Sequence, residues 1–201
     1  GTLISPARYF IEYHGGEREV WERQMMTRCR PVVDRQLLAA QALAAIAPCI
    51  YAAHEPEHLR TEILQMRKKV QKELGSPKGK HEIKRGNGGI MDIDFLTHYL
   101  QLRHGHEHPS LRTPSTRTAL RELNRAGFLD DRQSGELLAA YDFLKRLECV
   151  LRVADLKNVS AFSADMQDAA NQRLARAMGY LDADKKIAME KFMQEYLEIT
   201  R

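Results

Sequence analysis

Leu137-Leu-Ala-Ala-Tyr-Asp-Phe-Leu-Lys-Arg-Leu-Glu-Cys-Val-Leu151 decides the fold class. Leu137, Ala140, Leu144, Leu147 and Leu151 return at alternating three- and four-residue steps, which gathers one helix face into a seam suited to an antiparallel bundle. Asp130 and Gln133 stand at capping-box separation ahead of it. Working outward, Leu59, Ile63, Met66, Val70 and Leu74 recur with the same period, and Arg67, Lys68, Lys69 and Lys72 fall on the other faces, as in an amphipathic helix that Gly75 would end. Ser5-Pro6 reads as a cap and first-turn proline for a helix stopped by Gly15-Gly16. Residues 17 to 30 form a second, with Val20, Gln24 and Thr27 on one stripe and Trp21, Met25 and Arg28 on another. Asp34 to Tyr51 is alanine-rich, with a kink or break expected at Pro48.

Downstream, a helix with Ile93, Leu96, Tyr99 and Leu100 as its apolar face ends near Gly105. Thr113-Pro114 is expected to open another that Gly127 stops, and two more span about 165 to 178 and 184 to 200. No run alternates with period two for long enough to make a strand, and only His81 to Lys84 offers a short extended piece. The fold expected is all-α, a multi-helix bundle. The 201 residues, 43% hydrophobic and 29% charged, suffice for one sizeable core. A net charge of +4 falls short of the dense basic stripe of a nucleic-acid binder but permits contact with nucleotide phosphates or an acidic protein surface. Without a long apolar span or a secretory signal, a cytoplasmic location is expected, with no membrane partner. Cys29, Cys49 and Cys149 are scattered and odd in number, which points to reduced thiols in a core and not to a disulfide frame or zinc site.

The chemistry-bearing stretch is His81-Glu-Ile-Lys-Arg-Gly-Asn-Gly-Gly-Ile-Met-Asp-Ile-Asp-Phe95. Gly86, Gly88 and Gly89 free the backbone for close approach, Lys84 and Arg85 are cations, and a helix from Ile90 would point unpaired N–H groups outward. The junction then either meets phosphate or is a turn whose glycines permit tight packing. Gly-x-Gly-x-x-Gly and Walker patterns are both absent. Asp92 and Asp94 diverge by about 200° on a helix and cannot jointly hold one ion; Asp92 either favours the helix dipole or serves a function. His104, His106 and His108 read as surface histidines at a helix end, Trp21 as a core or junction residue, and Cys149 as packing beside the seam. The basic run from Arg67 to Arg85 reads as a solvated face and loop, or as a contact for phosphate or a partner protein.

Several of these words together resemble bacterial glutamine synthetase adenylyltransferases. They are Lys84-Arg-Gly-Asn-Gly-Gly-Ile-Met-Asp-Ile-Asp-Phe95, Tyr99-Leu-Gln-Leu-Arg-His-Gly105, His108-Pro-Ser-Leu-Arg-Thr113, Trp21-Glu-Arg-Gln-Met-Met-Thr-Arg-Cys-Arg30 and Phe143-Leu-Lys-Arg-Leu-Glu148. The likeness covers most of residues 1 to 153 and thins to the gist of Asn171-Gln-Arg-Leu-Ala-Arg-Ala-Met-Gly179; Asp94 stands where the family has Glu. The family's catalytic Gly-Ser turn with an Asp-x-Asp pair has no counterpart, since Gly75-Ser76 is followed by Pro77-Lys-Gly-Lys80. Gly1-Thr-Leu-Ile-Ser-Pro6 resembles the turn where the nucleotidyltransferase core ends.

The resemblance implies a fragment without catalytic carboxylates, with residues 1–33 as the tail of that core and linking helices and 34–201 as a helical bundle domain. The intact enzyme would use ATP and Mg2+ to adenylylate a tyrosine of glutamine synthetase and would remove the group by phosphorolysis. Its implied partners are glutamine synthetase, the PII signal protein and the adjoining core, with no nucleic acid. Lys84, Arg85, Gly86, Gly88, Gly89, Asp92, Asp94, Arg28 and Arg30 are the implied candidates for the nucleotide cleft. Leu59-Arg-Thr-Glu-Ile-Leu-Gln-Met-Arg67 and the Lys-Gly-Lys-His loop resemble the adenylylating half. The alternatives are the helical domain of the related PII uridylyltransferase and a non-enzymatic helical interaction module.

Overall fold

In the computed structural model, which describes residues 6–33, 37–74, 78–154 and 160–201, the apolar periodicities resolve into helices. They are α1 (Ala7–Gly15), α2 (Val20–Met26), α3 (Leu38–Ile50), α4 (Pro56–Leu74), α5 (Ile90–His104), α6 (Thr116–Arg125), α7 (Asp131–Ala154), α8 (Ala169–Ala177) and α9 (Lys185–Ile199). Two three-residue strands, β1 (Lys80–Glu82) and β2 (Ala161–Ser163), pair antiparallel with His81 opposite Phe162. The all-α expectation holds. Gly1 to Ser5, Asp34, Gly75 and Ser76, on which several expectations fell, lie outside the described residues.

The chain divides into two compact units, Gly1–Met66 with Phe95–Ser134 and Arg67–Asp94 with Gly135–Arg201. In the first, α1 packs on α3, and Val20, Ile46, Ile50, Tyr51, Leu59, Ile63 and Leu102 form the core. The α2 stripe of Val20, Gln24 and Thr27 is buried as its spacing requires, while Trp21 and Met25 on the other stripe are exposed. Trp21, at 45% exposure, is therefore no core residue. Glu19 and Glu22 cap α2 reciprocally. Pro48 lies inside α3 without ending it, since the helix continues to Ile50. Ser115, not Thr113-Pro114, opens α6 by accepting the Thr118 N–H.

In the second unit, Leu144, Leu147 and Leu151 of the α7 seam are buried, as is an aromatic group of Phe162, Phe192 and Tyr196. The His81 ring meets Phe162 at 5.0 Å and Tyr196 at 5.1 Å. Strand β2 was not anticipated; three residues are too few to show an alternation. Asp130 and Gln133, in the first unit, exchange both capping-box bonds at 2.7 and 3.1 Å. Cys149 is exposed, and Cys29 and Cys49 are half-buried, so none of the three free thiols is a core residue.

The buried stripe of α5 departs from the expected apolar face. Leu96 is exposed, whereas Ile90, Ile93, Asp94, Thr97, His98, Gln101 and Leu102 are buried. Burial of polar side chains is tolerated where their bonds are met. Gln101 shows how, donating to the carbonyls of Leu111 at 2.6 Å and Thr113 at 2.8 Å.

Burial holds four histidines, His14, His54, His81 and His104, below their ordinary value of 6.5. His104 stacks on Phe128 at 3.8 Å and His108 meets the same ring edge-on at 5.0 Å, so these two are packed residues. The depressed values mean that the fold favours neutral imidazole: stability is fully present above pH 6.5 and is lost as pH falls through the folded-state values. Melting temperatures at about pH 7.5 and about pH 5.5 should therefore differ, with the lower at the acidic pH. An unchanged or higher midpoint at acidic pH would contradict this burial.

Candidate functional site

The glycine junction is built within the second unit. Strand β1 carries the chain into Ile83, whose N–H donates to the Ser160 carbonyl at 2.8 Å. The Glu82 carboxylate, in a residue only 3% exposed, then accepts the backbone N–H groups of Lys84 and Arg85 and folds the turn back on itself. At the far side, the Ile90 N–H donates to Ile83 O at 3.0 Å, Met91 N–H to Lys84 O at 2.9 Å and Asp92 N–H to Gly89 O at 3.0 Å. These are the first N–H groups of α5, which the sequence reading left unpaired and facing outward. The turn's own carbonyls consume them, so this helix end is closed by backbone.

Glycine is needed here for space and for backbone angle. Gly88 has φ +65, and a Cβ there would overlap the backbone of Thr200, just beyond α9. A Cβ on Gly89 would come within 2.8 Å of Ile83 O. Beneath the turn lies Arg67 of α4. Its side chain is 8% exposed, and its Nε donates to Asp92 at 2.5 Å while its Nη2 donates to Arg85 O at 3.0 Å and Gly86 O at 2.9 Å. The expectation of a solvated Arg67 is thus overturned. One buried guanidinium ties the end of α4, the glycine turn and the first turn of α5 together. Gln71, one turn further along α4, bonds the Asn87 side chain.

The structure brings together Lys84, Arg85, Gly86, Gly88, Gly89 and Asp92, and gives each a place. Asp92 serves Arg67. Asp94 is 8% exposed and engaged in an interaction of its own, consistent with the two acids diverging around the helix. Arg85 is half-buried, not exposed as its position in a turn suggests, with Nε 3.4 Å from the Glu82 carboxylate. Lys84 is exposed, and its charge acts on Glu148 of α7. Glu148 is 4% exposed and takes Lys145 and, at 3.0 Å, Arg152 as partners. Burial pushes the Glu148 carboxyl up, but Lys145, then Arg152 and Lys84, outweigh it and hold the group below the usual carboxylate range. Lys145 and Arg152 thus pair with one buried carboxylate, and the charge of Lys84 adds to their pull on it. Arg67, Glu82, Glu148 and Thr200 were missed as members of this site; Glu82 stands in the His81 to Phe95 stretch, Arg67 and Glu148 end the Leu59 and Phe143 words, and only Thr200 had no signal.

Arg28 and Arg30 belong to the first unit, where both are exposed beyond the end of α2. Among the described residues no group of three or more His, Cys, Asp or Glu is placed to hold a metal ion, and no helix is long and apolar enough to cross a membrane. The described acids do not fit a two-metal phosphoryl-transfer centre, since Asp92 is spent on Arg67, and Glu82 and Glu148 on the partners given above.

Residues 57–201 match the family described as GlnD PII-uridylyltransferase, which covers α4 to α9 and the whole junction. The chain belongs to that family. It is 32% identical over 177 residues to the bifunctional glutamine synthetase adenylyltransferase/adenylyl-removing enzyme of Mycobacterium leprae, covering 88% of this chain and 18% of the relative. The enzyme of the same name from Mycobacterium tuberculosis is 32% identical over the same shares. That of Mycolicibacterium smegmatis is 30% identical over 206 residues, covering 100% of this chain and 20% of the relative. The chain thus spans about a fifth of the length of these curated relatives.

Proposed function

We propose that the chain is a helical domain of a bifunctional glutamine synthetase adenylyltransferase, a cytoplasmic enzyme that transfers AMP from ATP to a tyrosine of glutamine synthetase and removes it by phosphorolysis under the control of PII. The observation that carries this reading is the likeness to such enzymes along the entire chain, the Trp21 to Arg30 segment included. In it, residues 1–33 link to a nucleotidyltransferase core and 34–201 form the helical domain; ATP and Mg2+ belong to that core. The segment resembles the adenylylating half. The second reading, a domain of a PII uridylyltransferase, is favoured by the description of the matching family, but that match begins at residue 57 and leaves the Trp21 word unexplained.

Within the primary reading, the junction's backbone is a scaffold, and the exposed Lys84 and the half-buried Arg85 do the contacting. Lys84 projects from a turn that Glu82 holds through backbone N–H groups, which an alanine at position 84 or 85 would still supply, while Arg85 is half-buried against the Glu82 carboxylate. Replacing Lys84 by alanine in the intact enzyme should cost about 1 kcal/mol of stability or less, and adding Arg85→Ala, which takes a half-buried guanidinium from the buried Glu82 carboxylate, about 1 to 3 kcal/mol more. Transfer of AMP to glutamine synthetase should fall by about tenfold or more, because charge-assisted contacts to phosphate or to the closing core are lost. Rates at saturating and limiting ATP, beside the melting temperature, measure both effects. Wild-type protein that leaves glutamine synthetase unlabelled would overturn the proposed function; normal rates in the double variant would return the two cations to the solvated surface.

A further inference from the structure

A cleft of about 290 Å³ opens in the first unit, between the segment after α2, helix α3 and the chain after the short 3-10 turn Pro109–Leu111. Its floor is apolar, with Leu43, Ala44, Ala47 and Ile50 of α3, and its polar edge is Arg30, Tyr51 and Arg112. No acid stands among its described lining residues.

The three polar side chains are arranged unusually. Arg112 is fixed by donating from Nε to Gly105 O at 2.7 Å and from Nη2 to His106 O at 3.2 Å, and its guanidinium lies 5.4 Å from the centre of the Tyr51 ring. It is held by carbonyls and a π face, with no carboxylate to neutralise it among the described residues. Arg30, exposed at the cleft, likewise has no acidic partner among them. Tyr51 is 6% exposed, and its ring is wedged against Gly105, where a Cβ would come within 2.6 Å of it. Its hydroxyl has no hydrogen-bond partner among the described residues and is not one of their buried unpartnered atoms, so it reaches solvent. Burial pushes that hydroxyl up to about 12, against the pull of Arg112, so it is protonated and a donor near neutrality. Among the described residues, two guanidiniums without an acidic partner and an unspent phenolic donor thus face an apolar cleft lined by no acid, which selects for a negative head on an apolar body.

We propose that this cleft binds a small organic monoanion, a carboxylate carried on an apolar body, with the carboxylate received by Arg112, Arg30 and the Tyr51 hydroxyl and the body lying on α3. The size follows from the volume: a cavity of about 150 Å³ holds benzene, so this one suits a ligand of roughly ten non-hydrogen atoms. This site is separate from the glycine junction and does not depend on which nucleotide or target protein the intact enzyme uses.

Cys29 lines the same cleft and reports on it, while Cys149 does not and serves as internal control. Alkylation of each thiol in the wild-type chain is followed residue by residue, with 3-phenylpropionate as probe and the neutral 3-phenylpropanamide beside it. Protection of Cys29 that saturates with the carboxylate, is at least about tenfold weaker with the amide, and leaves Cys149 unchanged is the expected result. Tyr51→Phe should weaken the protection about fivefold or more with the melting temperature nearly kept, because the hydroxyl it removes bonds none of the described residues. Ala47→Phe, which fills the floor, should abolish it. Equal protection by acid and amide, no saturable protection, or full protection retained in Tyr51→Phe would each overturn the proposal.

Discussion

Gly88→Val is expected to lower the denaturation midpoint sharply, with a loss of about 3 kcal/mol or more. Two costs combine at this position. The backbone sits at φ +65, which a β-branched residue adopts only under strain, and the new side chain would be driven into the backbone of Thr200. Backbone cannot step aside as the end of a lysine can, so relief requires moving the C-terminal end of α9 from the turn. Gly79→Val separates the two costs. Gly79 has φ +72 but nothing within 4 Å of its Cβ position, so it should show only the angular part, about 1 kcal/mol. Chemical denaturation of both variants measures the difference, and equal midpoints would mean that Thr200 does not press on the turn.

Arg67→Ala should cost about 3 kcal/mol or more, although its sequence context places it among the lysines of a solvated face. The substitution removes three hydrogen bonds and leaves the Arg85 carbonyl and the Asp92 carboxylate without the guanidinium donor, while the Gly86 carbonyl keeps only the Gly89 N–H. Asp92 is 36% exposed and can rehydrate in part, which keeps the loss towards the lower end for a broken buried pair. Arg67→Lys should recover little, since one ammonium cannot span a carboxylate and two carbonyls in the guanidinium's fork. In a double-mutant cycle with Asp92→Ala, the combined loss should fall short of the sum by about 1 to 3 kcal/mol. Strict additivity would show that the pair is not coupled.

The contrast between α7 and Arg67 marks what the sequence could and could not reveal. Leu144, Leu147 and Leu151 were legible because a helix presents residues three and four apart on one face, so local spacing already encodes the buried stripe. The Asp130–Gln133 box was legible for the same reason, each bond closing over three residues. Arg67 obeys no local rule. Its partners lie 18, 19 and 25 residues along the chain, and a periodicity that assigns charges to solvent has no means of seeing them.

The glycine junction was legible as a place but not as a device. Its glycines and the helix start at Ile90 were evident, yet the path that brings Ile83 O and Lys84 O onto the first N–H groups of α5 depends on β1 pairing with β2, about eighty residues later. Lys84 is exposed, whereas Arg85 is half-buried, because Glu82 three residues before it is buried and draws it in. The polar stripe of α5 was hidden in a similar way. Thr97, His98 and Gln101 count as solvent-facing in any apolar periodicity, and Gln101 is buried because two distant carbonyls receive its amide. Trp21 and Cys149 erred in the opposite direction, as residue types commonly buried that here lie on the surface.

We propose that this helical segment comes from an enzyme that adenylylates glutamine synthetase, and its described residues place no group of acids to hold that enzyme's catalytic metals. The most direct measurement supplies labelled ATP or labelled UTP, with magnesium, to the intact protein and to residues 1–201 alone, each in the presence of glutamine synthetase or PII. The intact protein should place AMP on a tyrosine of glutamine synthetase, and the segment alone should label neither target. Labelling of PII from UTP by the intact protein, or metal-dependent labelling of either target by the segment above a boiled control, would contradict it.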